Sequence, residues 1–259
     1  NAMTKAIFPI TEEVQEFINK MYDLYAERIH SVSEHRFDIK QENIAKAGIW
    51  IAKKRYAQWV INIEGHTVDK LDVKGIDVVR SNFPTAMRTF MAEVLKGILE
   101  NKTQHAIDES ILDFKDNMKT VDIGDIAKST GVKNIEKHIF KDQDNVIELS
   151  KGAPAHVKAA VAYNNMLRRT NNTQLGEIRS GDKIKWVYLK QNPYGLGAIA
   201  FKNYDDPEVV MDFIKKYINY DMIFTRELNN KLGAFYSAMK WGELPTRSMR
   251  QVHKFFDFS

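Results

Sequence analysis

Gly48-Ile49-Trp50-Ile51-Ala52-Lys53-Lys54-Arg55-Tyr56-Ala57-Gln58-Trp59-Val60-Ile61 sets two β-forming runs on either side of three consecutive cations and a tyrosine. β-branched and aromatic side chains favour a pleated backbone, so Ile49-Trp50-Ile51 and Trp59-Val60-Ile61 are expected as neighbouring strands that hold the cations on rigid backbone. Such a platform suits a polyanion: lysines can neutralise phosphates or reach minor-groove acceptors, and a tyrosine can donate a hydrogen bond or pack on sugar. Taken alone, the run also reads as a solvated turn, because short Lys/Arg strings recur widely.

Working outward, Phe37-Asp38-Ile39-Lys40-Gln41-Glu42-Asn43-Ile44 alternates as a strand, and Glu64-Gly65 is a turn. Further upstream, Val14, Phe17, Ile18, Met21, Leu24, Tyr25 and Ile29 recur at helical spacing. They predict a helix over residues 11–30, capped by Thr11, with its apolar face in the core. A helix packed on a small antiparallel sheet follows. Downstream, Ser81 or Asn82 is expected to cap a helix beginning near Pro84 and burying Met87, Phe90, Met91, Val94, Leu95, Ile98 and Leu99. A subdomain boundary is placed at Ser81. Residues 103–118 read as a second helix, and 121–147 as mixed and polar with only a short one. Residues 151–167 make an Ala-rich helix. Ile184-Lys185-Trp186-Val187-Tyr188-Leu189 and Ala198-Ile199-Ala200-Phe201 are strands, and Asp206 caps a helical stretch running to about residue 241. The fold class expected is α+β: the helix-on-sheet unit, then a mostly helical lobe with a short β insertion.

The 259 residues are 44% hydrophobic and 28% charged with a net charge of +4, an ordinary globular composition leaning towards an acidic partner. Cations concentrate at 53–55, 151–169 and 183–190, and separate clusters can merge into one stripe on a folded surface. The chain has no cysteine, which excludes disulfides and thiolate catalysis. No apolar run approaches a membrane span, so an intracellular protein is expected. Asn1-Ala2-Met3 reads as a tag remnant. Gly195-Leu196-Gly197-Ala198-Ile199-Ala200 fits a GxGxxA string but does not join a strand to a helix N-terminus. Tyr204-Asp205-Asp206 looks like paired metal-binding aspartates, yet Pro207 explains Asp206 as a helix cap. The histidines show no ligand spacing for zinc, and only His156, inside a basic helix start, stands out.

These segments together resemble the C-terminal part of family B DNA polymerases of the T-even-like phage replicative type. Ala52-Lys53-Lys54-Arg55-Tyr56-Ala57 is similar to the K-K-R-Y palm motif. Lys74-Gly75-Ile76 with Val79-Arg80-Ser81 and Pro84 is similar to the palm-to-thumb junction. Gly152-Ala153-Pro154-Ala155-His156-Val157 with Tyr163-Asn164 resembles a thumb helix, and Gly181-Asp182-Lys183-Ile184 with Asn192-Pro193-Tyr194-Gly195 the thumb strand pair.

The resemblance implies the end of the palm at 4–80, the thumb at 81–247 and a tail at 248–259. It makes Lys54 and Tyr56 minor-groove readers at the primer terminus, with Lys53 and Arg55 serving phosphates or bracing the motif. Lys151, His156, Lys158, Lys183 and Lys185 would line a duplex-facing thumb surface, and Glu42 would match a palm carboxylate near the metal site. Phe255, Phe256 and Phe258 would hold a sliding clamp. The partners implied are primer–template DNA and that clamp, for a monomer in the host-cell cytoplasm without membrane contact. The complete polymerase would use Mg2+, this segment no cofactor. Because the metal-binding aspartate motifs would lie upstream of Glu12, the segment is expected to bind duplex without extending it. A free-standing nucleic-acid-binding protein without sequence preference is the alternative.

Overall fold

Helix α1 (Ala2–His30) leads into an antiparallel meander of β1 (Asn43–Ala52), β2 (Arg55–Ile63) and β3 (His66–Lys74). The coordinates are a computed structural model describing residues 2–37, 39–171 and 176–246, so the tail residues Phe255, Phe256 and Phe258 fall outside it. The two strands are neighbours as their residue types predict; the register places Ile49 opposite Ala57 and, past a bulge between Trp50 and Ala52, Trp50 opposite Tyr56, with Trp59 opposite Ala47. Glu64-Gly65 turns β2 into β3 as expected.

Two expectations upstream fail. Helix α1 begins well before Thr11, whose hydroxyl donates to Phe8 O at 2.8 Å inside the helix instead of capping it. Its apolar face is not core either: Phe17 and Tyr25 are 63% and 62% exposed, and Val14, Met21, Leu24 and Ile29 are exposed too. The strand predicted from Phe37 starts only at Asn43. The segment before it spends its backbone on α1 side chains, Gln15 Oε1 accepting from Gln41 N at 3.1 Å and Asn19 Nδ2 donating to Ile39 O at 3.5 Å.

The sheet is covered instead from the other end of the chain. Helix α2 (Thr85–Leu99) buries all seven residues read as its core face; Pro84, not Ser81 or Asn82, occupies its N-cap, and no side chain caps it. Helix α3 (Gln104–Asn117) is capped by Thr103, whose hydroxyl accepts from Ala106 N at 3.3 Å. Next come α4 (Ile123–Ile126), β4 (Lys128–Gly131), the hairpin β5 (Ile139–Gln143) and β6 (Val146–Leu149), and α5 (Ala155–Arg169). The chain closes with β7 (Lys183–Tyr188), β8 (Ala198–Phe201), α6 (Glu208–Tyr217), α7 (Tyr220–Phe224), a π-helical stretch Thr225–Asn229 and α8 (Asn230–Met239). Helices α2 and α8 pack on β1, so Ile49 and Ala57 join the same core as Leu95, Leu232 and Phe235.

The region 121–147 therefore holds more strand than its composition predicts. Strand β4, Lys-Ser-Thr-Gly, has no alternation of its own and exists as the partner of β7 in the order β4-β7-β8. Asp206 is not a helix cap: Pro207 holds the N-cap of α6, and the Asp206 carboxylate accepts from Lys202 N at 2.8 Å and Asn203 N at 2.7 Å. The fold class is nonetheless the α+β arrangement expected, a small sheet followed by a helical lobe with a β insertion. No helix among the described residues is long and apolar enough to cross a membrane.

Candidate nucleic-acid interface

Strand β1 ends at Ala52 and β2 begins at Arg55, so Lys53 and Lys54 are the two-residue turn of a hairpin. Turns of this kind need left-handed backbone, normally supplied by Asn or Gly. Here Lys54 supplies it at φ 61°, a conformation that costs a non-glycine residue about 1 kcal/mol. The turn is held from beneath by Gly75 at the end of β3. Gly75 also has positive φ, 65°, and a Cβ there would collide with the Lys54 carbonyl oxygen and press on Arg55 Cγ. Only glycine lets the backbone approach this closely.

The result is a rigid tip with Lys53 and Lys54 exposed and Arg55 half-buried along its stem. Among the described residues, no side-chain hydrogen bond or ion pair engages Lys53, Lys54 or Arg55. Tyr56 lies between Trp50 on β1 and Lys74 on β3, all three on one face of the meander. Trp50 is 63% exposed and its ring lies over Gly48, where any Cβ would meet it. A flat aromatic and basic surface thus runs back from the tip.

In the second sheet the lysines are placed differently. Side chains alternate along β7, so Lys183 and Lys185 share a face with their cross-strand partners Gly131 and Ser129, while Trp186 and Tyr188 point the other way. Helix α5 sits on that other side, where Tyr188, Ala198, Val161 and Ala162 line a cleft of about 490 Å3 with Lys151 and Lys158 on it. The structure therefore brings Lys183 together with Lys185, and Lys151 with Lys158, but sets the two pairs on opposite faces of one sheet. Lys185 donates to Gly124 O at 2.7 Å, whereas Lys183 is exposed.

His156, in the first turn of α5, is half-buried. Burial, and then the nearby charges of His138 and Lys128, hold its imidazole below the usual histidine range. Lys128 itself is 3.0 Å from the Glu227 carboxylate, which is 5% exposed, and lies 5.4 Å from the Trp186 ring.

Comparison with known proteins fixes the family. The profile of DNA polymerase family B matches residues 9–235, across both three-stranded sheets, the β5–β6 hairpin and nearly the whole helical lobe. The chain belongs to DNA polymerase family B.

Its relatives include the DNA-directed DNA polymerase of Escherichia phage RB69, 23% identical over 215 residues, or 82% of this chain and 23% of that one. The corresponding enzyme of Enterobacteria phage T4 is 23% identical over 183 residues, 69% of this chain and 19% of that one. The mouse DNA polymerase alpha catalytic subunit is 23% identical over 187 residues, 70% of this chain and 11% of that one. This family B chain thus spans less than a quarter of the length of these relatives. The T-even-like phage resemblance carried by the K-K-R-Y and thumb motifs agrees with the two phage matches.

Glu42 is exposed just ahead of β1 rather than on a strand, and its carbonyl accepts from Glu64 N at 3.1 Å. Among the described residues no group of three or more His, Cys, Asp or Glu could hold a metal ion. Sequence reasoning missed Trp50 and Gly75 as parts of the site. Ala52 pairs with Arg55 across the turn, and only a bulge between Trp50 and Ala52 brings Trp50 opposite Tyr56, so the spacing carried no signal for it. Gly75 gave none, because its role depends on β3 returning beneath the turn.

Proposed function

We propose that this family B segment grips primer–template duplex. Lys54 and Tyr56 lie at the minor groove near the primer terminus, with Lys53 and Arg55 on backbone phosphates. The observation that carries the reading is the set of uncommitted cations on a tip locked by Gly75 and backed by Trp50 and Tyr56. A tip whose backbone is already fixed spends no backbone entropy in presenting its cations to a polyanion. The minor groove offers purine N3 and pyrimidine O2 acceptors in every base pair, so contacts there respond to geometry and not to sequence. Lys183 extends the same contact along the backbone from the second sheet, with Lys185, tied to Gly124 O, adding its charge beside it. Lys151, His156 and Lys158, on the opposite side of that sheet, meet duplex only if it wraps past the β4 or β8 edge. Phe255, Phe256 and Phe258 serve a sliding clamp. The carboxylates for nucleotidyl transfer belong to another part of the polymerase, so the segment alone binds without extending.

The test is a duplex titration over a range of salt with two unrelated sequences. We expect log K to fall with log[salt] by about 0.9 for each phosphate engaged, with affinities for the two sequences within a few-fold. A flat salt dependence, or tight binding to one sequence alone, contradicts the reading.

A further inference from the structure

A second cleft, of about 520 Å3, opens where the palm-like sheet passes into the helical lobe. Ser81 and Asn82 form one wall, Ser129, Gly131 and Lys183 the floor, and Asn203 and Tyr204 the other wall. Its chemistry is one-sided. The lining holds hydroxyls, amides and lysines and no carboxylate. Of the acids close in sequence, Asp206 is spent on Lys202 N and Asn203 N and Asp182 on Arg179 N at 2.8 Å, while Asp205, next to Tyr204, is exposed and does not line the cleft.

Two of the three lysines at the cleft are also tied. Lys185 donates to Gly124 O at 2.7 Å and Lys202 to Gly176 O at 2.6 Å; they keep their charge but not their freedom to move. Lys183 alone is exposed with no partner among the described residues, and opposite it Gly131 leaves open space where a side chain would stand. The wall at 203–204 is fixed by the Asp206 bonds, with Asn203 held at φ 70°. A rigid cradle of neutral donors with one free cation suits a single phosphate oxyanion.

We infer that this cleft seats one internucleotide phosphate of the bound duplex, Lys183 supplying the movable charge and the Ser81, Ser129, Asn82, Asn203 and Tyr204 side chains the neutral hydrogen bonds. The inference rests on the duplex reading above and adds a place to it. Gly75 abuts the Lys54 turn, and six residues later comes Ser81. A path of that length spans at most roughly 20 Å. At about 3.4 Å per step, the cleft wall at Ser81 lies within about six base pairs of the Lys54 turn.

The experiment is a scan with neutral methylphosphonate linkages, one at a time, over the six steps from the primer terminus, with the wild-type chain and Lys183→Gln. Lys183 is exposed, so the variant should melt with the wild type. We expect one position where neutralisation weakens wild-type binding by about threefold to tenfold and leaves Lys183→Gln unaffected, with the salt slope of the variant lower by about 0.9. If no position separates the two proteins while salt-dependent duplex binding persists, the cleft assignment is wrong and the duplex reading stands. If no salt-dependent binding is seen at all, both fall. A cleft serving free phosphate would bind inorganic phosphate without duplex and show no sensitive linkage, which also overturns the assignment.

Discussion

The two sheets use the same residue type in opposite ways. At the β1–β2 tip Lys53, Lys54 and Arg55 have no side-chain partner among the described residues, and the structure invests in the backbone beneath them. Around β4-β7-β8 most lysines are committed: Lys185 to Gly124 O, Lys202 to Gly176 O, and Lys128 to the buried Glu227. A lysine count therefore measures available charge poorly. What a cation can do for a ligand depends on whether the fold has already engaged it. Lys183 is the exception in the second sheet, which is why the cleft assignment rests on it.

The sharpest way to break this contrast is through a committed lysine. Lys128→Ala leaves the Glu227 carboxylate buried without its partner. We expect a loss of about 2 kcal/mol in urea unfolding, below the roughly 3–5 kcal/mol of a fully buried pair because Lys128 is itself 34% exposed. The salt slope of duplex binding should stay unchanged. A variant as stable as the wild type with a reduced slope would place Lys128 among the free cations.

A smaller effect is expected from His156. Its imidazole titrates below the ordinary histidine range in the folded chain, so between the folded and unfolded values the unfolded chain binds more protons. The stabilisation from the neutral ring is complete above about pH 6.5 and is lost as pH falls through the depressed folded value. His156→Gln should accordingly flatten the fall in melting temperature between about pH 7 and pH 5. An unchanged fall would mean that other groups carry the pH dependence.

The contrast also explains what could be read from the sequence. The hairpin was legible because two β-forming runs flank a polar turn; the pairing of Tyr56 with Trp50 was not, because it comes from a bulge between Trp50 and Ala52. Helices α2, α3 and α5 were legible because their own periodicity matches their burial. Helix α1 has the same periodicity and the opposite outcome: a stripe such as Phe17, Leu24 and Tyr25 shows that a face needs cover, not that this chain supplies it. Strand β4 was hidden because its pairing comes from β7, about fifty residues away in sequence, and not from its own side chains. The commitment of Lys185 was hidden for the same reason, since its acceptor Gly124 lies on a different element.

The most direct measurement is the salt slope of duplex binding for Lys53→Gln/Lys54→Gln/Arg55→Gln beside the wild type, with melting temperatures recorded for both. The account predicts a slope shallower by roughly 2, for the phosphates engaged by Lys53 and Arg55, with little change in melting temperature. An unchanged slope, or a loss of binding matched by a loss of thermal stability, would contradict it.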